Sequence, residues 1–496
     1  MRTLPQLRCP HTTSFRKTLA ALLIPLLAAG SFSGCGNLSS RASAGASTTA
    51  SATGTVASSA ASSSASNAST SASDASPSAS GPSATPTDAS PAASTSSNGT
   101  DALADKYGLT SASPTPSVVI PDIGATSAEM PDNEDLRFVR DMTLGWNLGN
   151  SFDAIDGSPA SELDYESMWN GAKTTKELLA AIRAKGFRTV RIPVSWHNHV
   201  DGDDYTIRKP WLDRVQEVVD WALAEDLYVI LNIHHDNSPK FLYPDTAHFD
   251  VSSRYVARIW AQLSERFQDY GDHLVFESMN EPRLTESAQY QWWISMASEE
   301  CRDAVDCINR LNQLFVDTVR KSGGQNETRR LMVPGYCASP QFAAIDEFVL
   351  PTDPVKSNGN RILVSAHAYT PYNFALQGPN ETGSIDTFKI KNPYSTKDID
   401  TALEGLYRKF VSKGIPVVIG EFGSRAKGEN LQARVDHAAY FVMAARARGM
   451  TCVWWDNNAF DGTGENFGLI DRASLAWKQE PIADAMVRYA GKAATP

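Results

Sequence analysis

The ten residues LVFESMNEPR, at positions 274–283, decide how the rest of the chain is read. They open on a buried-strand pattern, Leu274-Val275-Phe276, and close on an amide, a carboxylate and a helix-disfavouring proline, Asn280-Glu281-Pro282. In a barrel of parallel strands the C-terminal strand ends form the mouth of the active site, so an acid there is placed for chemistry. Taken alone, the stretch reads equally well as a turn with a solvated acid. The other strand ends separate the two readings.

From about residue 131 onward, short apolar runs alternate with amphipathic stretches, the pattern of βα units on a parallel sheet. The apolar runs fall at 143–148, 189–194, 228–233, 274–278, 330–334, 362–366, 416–420 and 451–455. Helical patterns lie at 175–185, 211–225, 252–270, 288–321, 342–348, 397–413 and 431–448, and a last one at 481–489 closes the series. Eight strands each followed by a helix predict an α/β fold, the (β/α)8 TIM barrel. A doubly wound open sheet is the alternative. It would usually carry a glycine-rich phosphate turn after its first strand, and GWNLGN at 145–150 lacks that spacing.

The strand ends carry an unusual set of side chains: Asn147 and Asn150; Arg191; Asn232, His234, His235 and Asp236; Asn280 and Glu281; His367 and Tyr369; Glu421; Trp454 and Trp455. Seven of the eight predicted strands end in polar or aromatic groups, more than loop composition explains. His234 and His235 suggest a metal, but neighbours on a strand point to opposite faces, so no metal and no cofactor is expected. Arg191 pairs with Glu277, which lies deep on the same strand as Glu281, or with Glu421, which it would hold ionised. Two carboxylates on strands four and seven, Glu281 and Glu421, suit glycoside hydrolysis: one protonates the leaving oxygen and the other attacks the anomeric carbon. Tryptophans at the rim fit as platforms for sugar rings, and amides and histidines as partners for hydroxyls.

The N-terminal portion differs in kind. A basic segment (Arg2, Arg8, Arg16, Lys17) precedes an apolar run at 19–29 that is short for a membrane span and reads as a secretory signal. Phe32-Ser33-Gly34-Cys35 resembles a lipobox, which predicts lipid attachment at Cys35, with ordinary signal cleavage and a free Cys35 as the alternative. Residues from about 38 to 100 are almost entirely Ser, Ala, Thr, Gly and Pro and read as a disordered tether. The expected organisation is therefore a lipoprotein-type signal peptide at 1–34, a Ser/Ala/Thr-rich linker at 35–128 and the barrel at 129–496. It predicts an extracellular, surface-anchored monomer that meets the membrane only through its lipid. The formal charge of -11 argues against a nucleic-acid partner and is indifferent to a neutral polymer.

GWNLGNSFD, VRIPVSWHNH, VILNIHHD, FESMNEPR, HAYTPYNFAL, VVIGEFG and WWDNN resemble, in order, the strand-end motifs of glycoside hydrolase family 5, closest to its bacterial endo-β-1,4-glucanase and xyloglucanase branch. The resemblance covers about 131–489. It implies a retaining enzyme acting on β-1,4-linked plant cell-wall glucans through a covalent glycosyl-enzyme intermediate, with Glu281 as acid/base and Glu421 as nucleophile. It further implies that Asn280 binds the sugar 2-hydroxyl, that Arg191 and Tyr369 orient Glu421, and that His234, His235 and His367 line the cleavage subsite. Trp455, rather than Trp454, would stack under the sugar, while Asn147 joins the binding set. An endo-β-mannanase on the same scaffold and a non-catalytic surface glycan-binding protein are the competing expectations.

Overall fold

Eight parallel strands close into a barrel in the computed structural model, which describes residues 117–355 and 361–491. The strands are β1 (Leu144–Leu148), β2 (Thr189–Ile192), β3 (Tyr228–Asn232), β4 (Leu274–Glu277), β5 (Leu331–Pro334), β6 (Ile362–His367), β7 (Val417–Phe422) and β8 (Thr451–Asp456). Each pairs with its sequence neighbours, and β8 returns to β1, with Asn147 opposite Trp455 on one side and Arg191 on the other. All their residues are buried, because the barrel is filled inside and sheathed by helices outside, which is why the strands read as continuous apolar runs. The predicted signal peptide, Cys35 and nearly all of the linker lie outside the described residues.

Inward positions change character from one end of the barrel to the other. Near the strand N-termini Tyr228, Ile230, Val275, Met332, Leu363, Val418 and Val453 form an apolar cluster with Phe138, Val139 and Met142. Phe138 and Val139 come from a short helix, Glu134–Asp141, capped by Asn133, whose side chain accepts from the Leu136 amide. One residue pair further along the strands the inward positions become Asn147, Arg191, Asn232, Glu277 and Ser365, all buried and polar. The floor of the site is therefore built into the barrel wall.

The sheath comprises α1 (Lys176–Lys185), α2 (Lys209–Ala224), α3 (Phe249–Arg266), α4 (Glu299–Lys321), the single turn α5 (Pro340–Ala343), α6 (Pro393–Lys409), α7 (Leu431–Ala447) and α8 (Glu480–Gly491). Helix α1 shows how sequence sets the limits: the Thr175 side chain accepts from the Leu178 amide at its start, and Gly186 takes φ 114° at its end, while Leu178, Leu179 and Ile182 face the core.

Two expectations are corrected. The helix expected from 288 starts at Glu299, since the chain before it loops, with Ser287 Oγ accepting the Tyr290 amide and Tyr336 OH donating to the Tyr290 carbonyl. The linker expected to end at 128 ends earlier, because residues 118–128 lie along α7 and α8. Val119 exchanges two hydrogen bonds with the Gln432 side chain, the Ile123 amide reaches Tyr489 OH, and the Ala128 amide donates to the Ala447 carbonyl. Val118, Ile120 and Ile123 also pack against the core. Cys301, Cys307, Cys337 and Cys452 are buried and free. Among the described residues no helix is long and apolar enough to cross a membrane.

Candidate active site

Arg191 is the hub of the polar layer. Wholly buried, it donates from Nε to Glu277 Oε2 (2.7 Å), from Nη1 to Glu421 Oε1 (2.8 Å) and Asn147 Oδ1 (3.0 Å), and from Nη2 to Asn280 Oδ1 (2.7 Å). Burial opposes the charge on the guanidinium, but Glu277 and Glu421 overcome that and hold it firmly cationic. Tyr369 OH donates to the other oxygen of Glu421 at 2.8 Å. Burial and then the charge of Glu421 raise the Tyr369 pKa well above its ordinary 10, so it stays a phenol that donates. Glu421 is thus fixed at both oxygens by groups from β2 and from the segment after β6.

Glu421 reaches this position through a bulge. On one side Ala366 pairs with Ile419 and His367 with Glu421, and on the other Cys452 pairs with Ile419 and Trp454 with Phe422. Both neighbours therefore register one extra residue in β7, at Gly420-Glu421. Strict alternation after the inward Val418 would turn Glu421 outward; the bulge re-aims it into the barrel. A Cβ on Gly420 would lie 3.2 Å from His367 Nε2 and 3.3 Å from Ser365 Oγ, so only glycine leaves both side chains where they are.

Glu281 lies beyond the strand that was expected to end with it, four residues after Glu277, and its side chain is 18% exposed against 7% for Glu421. His367 Nδ1 is 2.9 Å from Glu281 Oε1 and 3.6 Å from Glu421 Oε1, and Arg283 Nη1 is 3.2 Å from Glu281 Oε2. Burial alone would raise the Glu281 pKa, but the hydrogen bond from His367, then the charges of His367 and Arg283, outweigh it and bring it to about 2. Burial likewise opposes a charged His367, yet Glu421 and the bond to Glu281 raise it above its ordinary 6.5. Both shifts favour the ion pair of a charged His367 with an ionised Glu281, across 2.9 Å. A carboxylate oxygen of Glu281 and one of Glu421 lie within 4.8 Å of each other, with His367 beside both.

His234 and His235 complete the wall. Asn232 Nδ2 donates to His234 Nδ1 at 3.2 Å, and the His234 ring lies parallel to Trp455 with centroids 5.8 Å apart. Burial lowers His234 well below 6.5 and His235 to about 4, so both remain neutral partners for hydroxyl groups. The expectation that they face opposite ways fails: β3 ends at Asn232, alternation stops there, and the two rings lie 4.3 Å apart. With Asp153 they form a group whose ligand atoms lie within 4.8 Å of one another, though Asp153 already accepts the amides of Asn150 and Ser151.

Three further placements differ from expectation. Trp454 faces the helices, wholly buried, with Nε1 donating to the Phe467 carbonyl and its ring edge-on to Phe422; it belongs to the core and not to the binding set. Asn147 and Arg191 are fully buried beneath the site and hold other side chains in place, so neither presents atoms for a sugar to touch. Glu277, Ser365 and Asn232 carry more of the network than their positions suggested. Ser365 is legible as the inward residue two before His367, and Arg283 as the cation two after Glu281.

The family model described as Cellulase (glycosyl hydrolase family 5) matches residues 153–461. The chain belongs to glycosyl hydrolase family 5. Among its relatives, endoglucanase A of Clostridium longisporum is 40% identical over 354 residues, which cover 71% of this chain and 65% of that protein. Endoglucanase A of Ruminococcus albus is 39% identical over 368 residues, covering 74% and 95%. The chain thus spans about two thirds of the first of these and nearly all of the second. The solved family-5 lichenase from Caldicellulosiruptor sp. F32, a variant of which is in complex with cellotetraose, superposes with a TM-score of 0.74 at 56% identity, over 75% of this chain and 100% of that one. As a family-5 member the protein is a glycoside hydrolase of the cellulase type.

Proposed function

We propose that this family-5 hydrolase is a retaining endo-β-1,4-glucanase in which Glu421 is the nucleophile and Glu281 the acid/base. The observation that carries the reading is the close approach of the two carboxylates, one oxygen of each lying within 4.8 Å of the other with His367 beside both, which fits the shorter of two known spacings. Retaining glycosidases place these groups about 5–5.5 Å apart, and inverting ones leave about 6.5–9.5 Å for a water. In the first step a Glu421 oxygen bonds to the anomeric carbon as its bond to the leaving oxygen breaks, and that oxygen takes the proton held by the Glu281–His367 pair. In the second, Glu281 accepts a proton from water as the water oxygen attacks the same carbon and releases Glu421.

Arg191 and Tyr369 keep the Glu421 carboxylate aimed and occupied as an acceptor at both oxygens. Trp455 supplies a flat face, and His234 and His235 supply neutral donors and acceptors, which suits uncharged glucosyl units. The lichenase and endoglucanase relatives support β-1,4-linked and mixed-linkage glucans, with xyloglucan side chains the finer question.

Glu281→Ala and Glu421→Ala are each expected to lower hydrolysis of mixed-linkage β-glucan by at least about 10²- to 10⁴-fold. Proton NMR of the first product should show the β-anomer. Near-normal turnover in either variant, or an α-anomer as first product, would overturn the mechanism. Faster hydrolysis of mannan than of β-glucan, carboxymethylcellulose and xyloglucan would overturn the substrate assignment.

A further inference from the structure

Glu277 is a carboxylate at the centre of the site that the reaction does not consume. It is wholly buried, and every polar contact it makes is to a side chain: Arg191 Nε donates to Oε2 at 2.7 Å, Asn232 Nδ2 to Oε2 at 3.0 Å, and Ser365 Oγ to Oε1 at 2.6 Å. Only the bond from Asn232 joins strands that the backbone ladder already pairs; those from Arg191 on β2 and Ser365 on β6 cross the barrel interior. A buried carboxylate is strongly unfavourable unless it is paired, and the cation that pairs with Glu277 is Arg191. Arg191 is the connection, since the same guanidinium grips Glu277 through Nε and Glu421 through Nη1.

We propose that Glu277 is a positioning residue for the nucleophile, sharing Arg191 with Glu421 so that the guanidinium orients the attacking carboxylate without fully neutralising it. The inference rests on Glu421 being the nucleophile. A carboxylate facing a buried guanidinium alone is tightly ion-paired and a poor nucleophile. A second carboxylate on the same cation takes part of its field, leaving more electron density on the Glu421 oxygen that is to attack. The geometry also fixes the direction of approach, because Nε held by Glu277 leaves Nη1 and Nη2 pointing at Glu421 and Asn280.

The charged and titratable groups that face Glu421 are Arg191 from β2, His367 and Tyr369 from β6 and the segment after it, Glu281 after β4, and Glu465 in the loop after β8. Of these only Arg191 is bonded to Glu277, which makes its guanidinium the bonded link between position 277 and the nucleophile.

The test is Glu277→Gln, which keeps the shape and removes the charge, compared with Glu277→Asp, which keeps the charge and shortens the reach. Removing the negative charge makes ionised Glu421 easier to form, so in Glu277→Gln the acid limb of kcat/KM should move to lower pH by about one unit. Its kcat should fall by about 10-fold or more with KM little changed, the mark of an interaction felt in the transition state. Glu277→Asp should keep the wild-type acid limb whatever its activity. An unmoved limb in folded Glu277→Gln, or the same shift in both variants, overturns the proposal. The hub keeps one guanidinium against one carboxylate in Glu277→Gln, so a chain that fails to fold would show that the charge serves the fold and would overturn it equally. Failure of the underlying reading is distinguishable, since it would appear as residual activity in Glu421→Ala.

Discussion

His367 is the residue through which the two carboxylates sense each other, 2.9 Å from one and 3.6 Å from the other. Its ion pair with Glu281 makes stability depend on pH, and the two shifts fix the sign. Glu281 is held at about 2 against an ordinary 4.5, so its contribution is present above pH 4.5 and lost as pH falls towards 2. His367 is raised above 6.5, so its contribution is complete below pH 6.5 and lost as pH rises through its folded value. The pair therefore stabilises the fold most between pH 4.5 and 6.5. Removing it with His367→Gln should lower stability there by roughly the 1.5–3 kcal/mol of a hydrogen bond to a charged group, and by less on either side. Thermal unfolding of both proteins across pH 3–9 checks this; a difference that is flat with pH would show that the pair is not ionised.

Strand β7 shows what a single strand's sequence can and cannot carry. The run Val417-Val418-Ile419-Gly420 and the acid after it were readable as a buried strand ending in a catalytic group. Counting by twos from Val418, however, sends Glu421 away from the barrel, and nothing in β7 alone reports the extra residue that its neighbours register. His234 and His235 failed for the complementary reason, since alternation was applied to residues already past the strand. Trp454 and Trp455 were separable by the same count, because Val453 faces inward and Trp455 therefore does too. The bulge yields its own prediction. Gly420→Ala places a methyl against His367 and Ser365, requiring each to give by a few tenths of an ångström. The fold should survive and kcat should fall, by less than the roughly 10²-fold expected of a 1 Å displacement. Unchanged kcat, measured beside an unchanged circular dichroism spectrum, would mean that the packing around Gly420 does not hold the catalytic geometry.

Across the whole molecule the barrel separates its duties along one axis: apolar side chains and the helix Glu134–Asp141 fill one end, and the polar hub and the two carboxylates occupy the other. That division was legible, because the apolar runs and their polar ends recur in order along 365 residues of patterned sequence, from 131 to about 495. The boundary of the folded part was not. Residues 118–128 lie close after the Ser/Pro-rich tether, and their four large aliphatics, Val118, Val119, Ile120 and Ile123, are too few to read as an element. Only α7 and α8, some 300 residues later, give them a surface, through Gln432, Ala447 and Tyr489. Burying three aliphatics in part and closing these hydrogen bonds should contribute roughly 2–4 kcal/mol after the ordering entropy is set against it. A chain beginning at residue 129 should therefore unfold several degrees below one beginning at 117, with kcat/KM unchanged because the segment lies on the helical sheath. Equal melting temperatures for the two chains would show that the strap adds nothing to the fold, and a loss of activity without a loss of stability would place it in contact with the site instead.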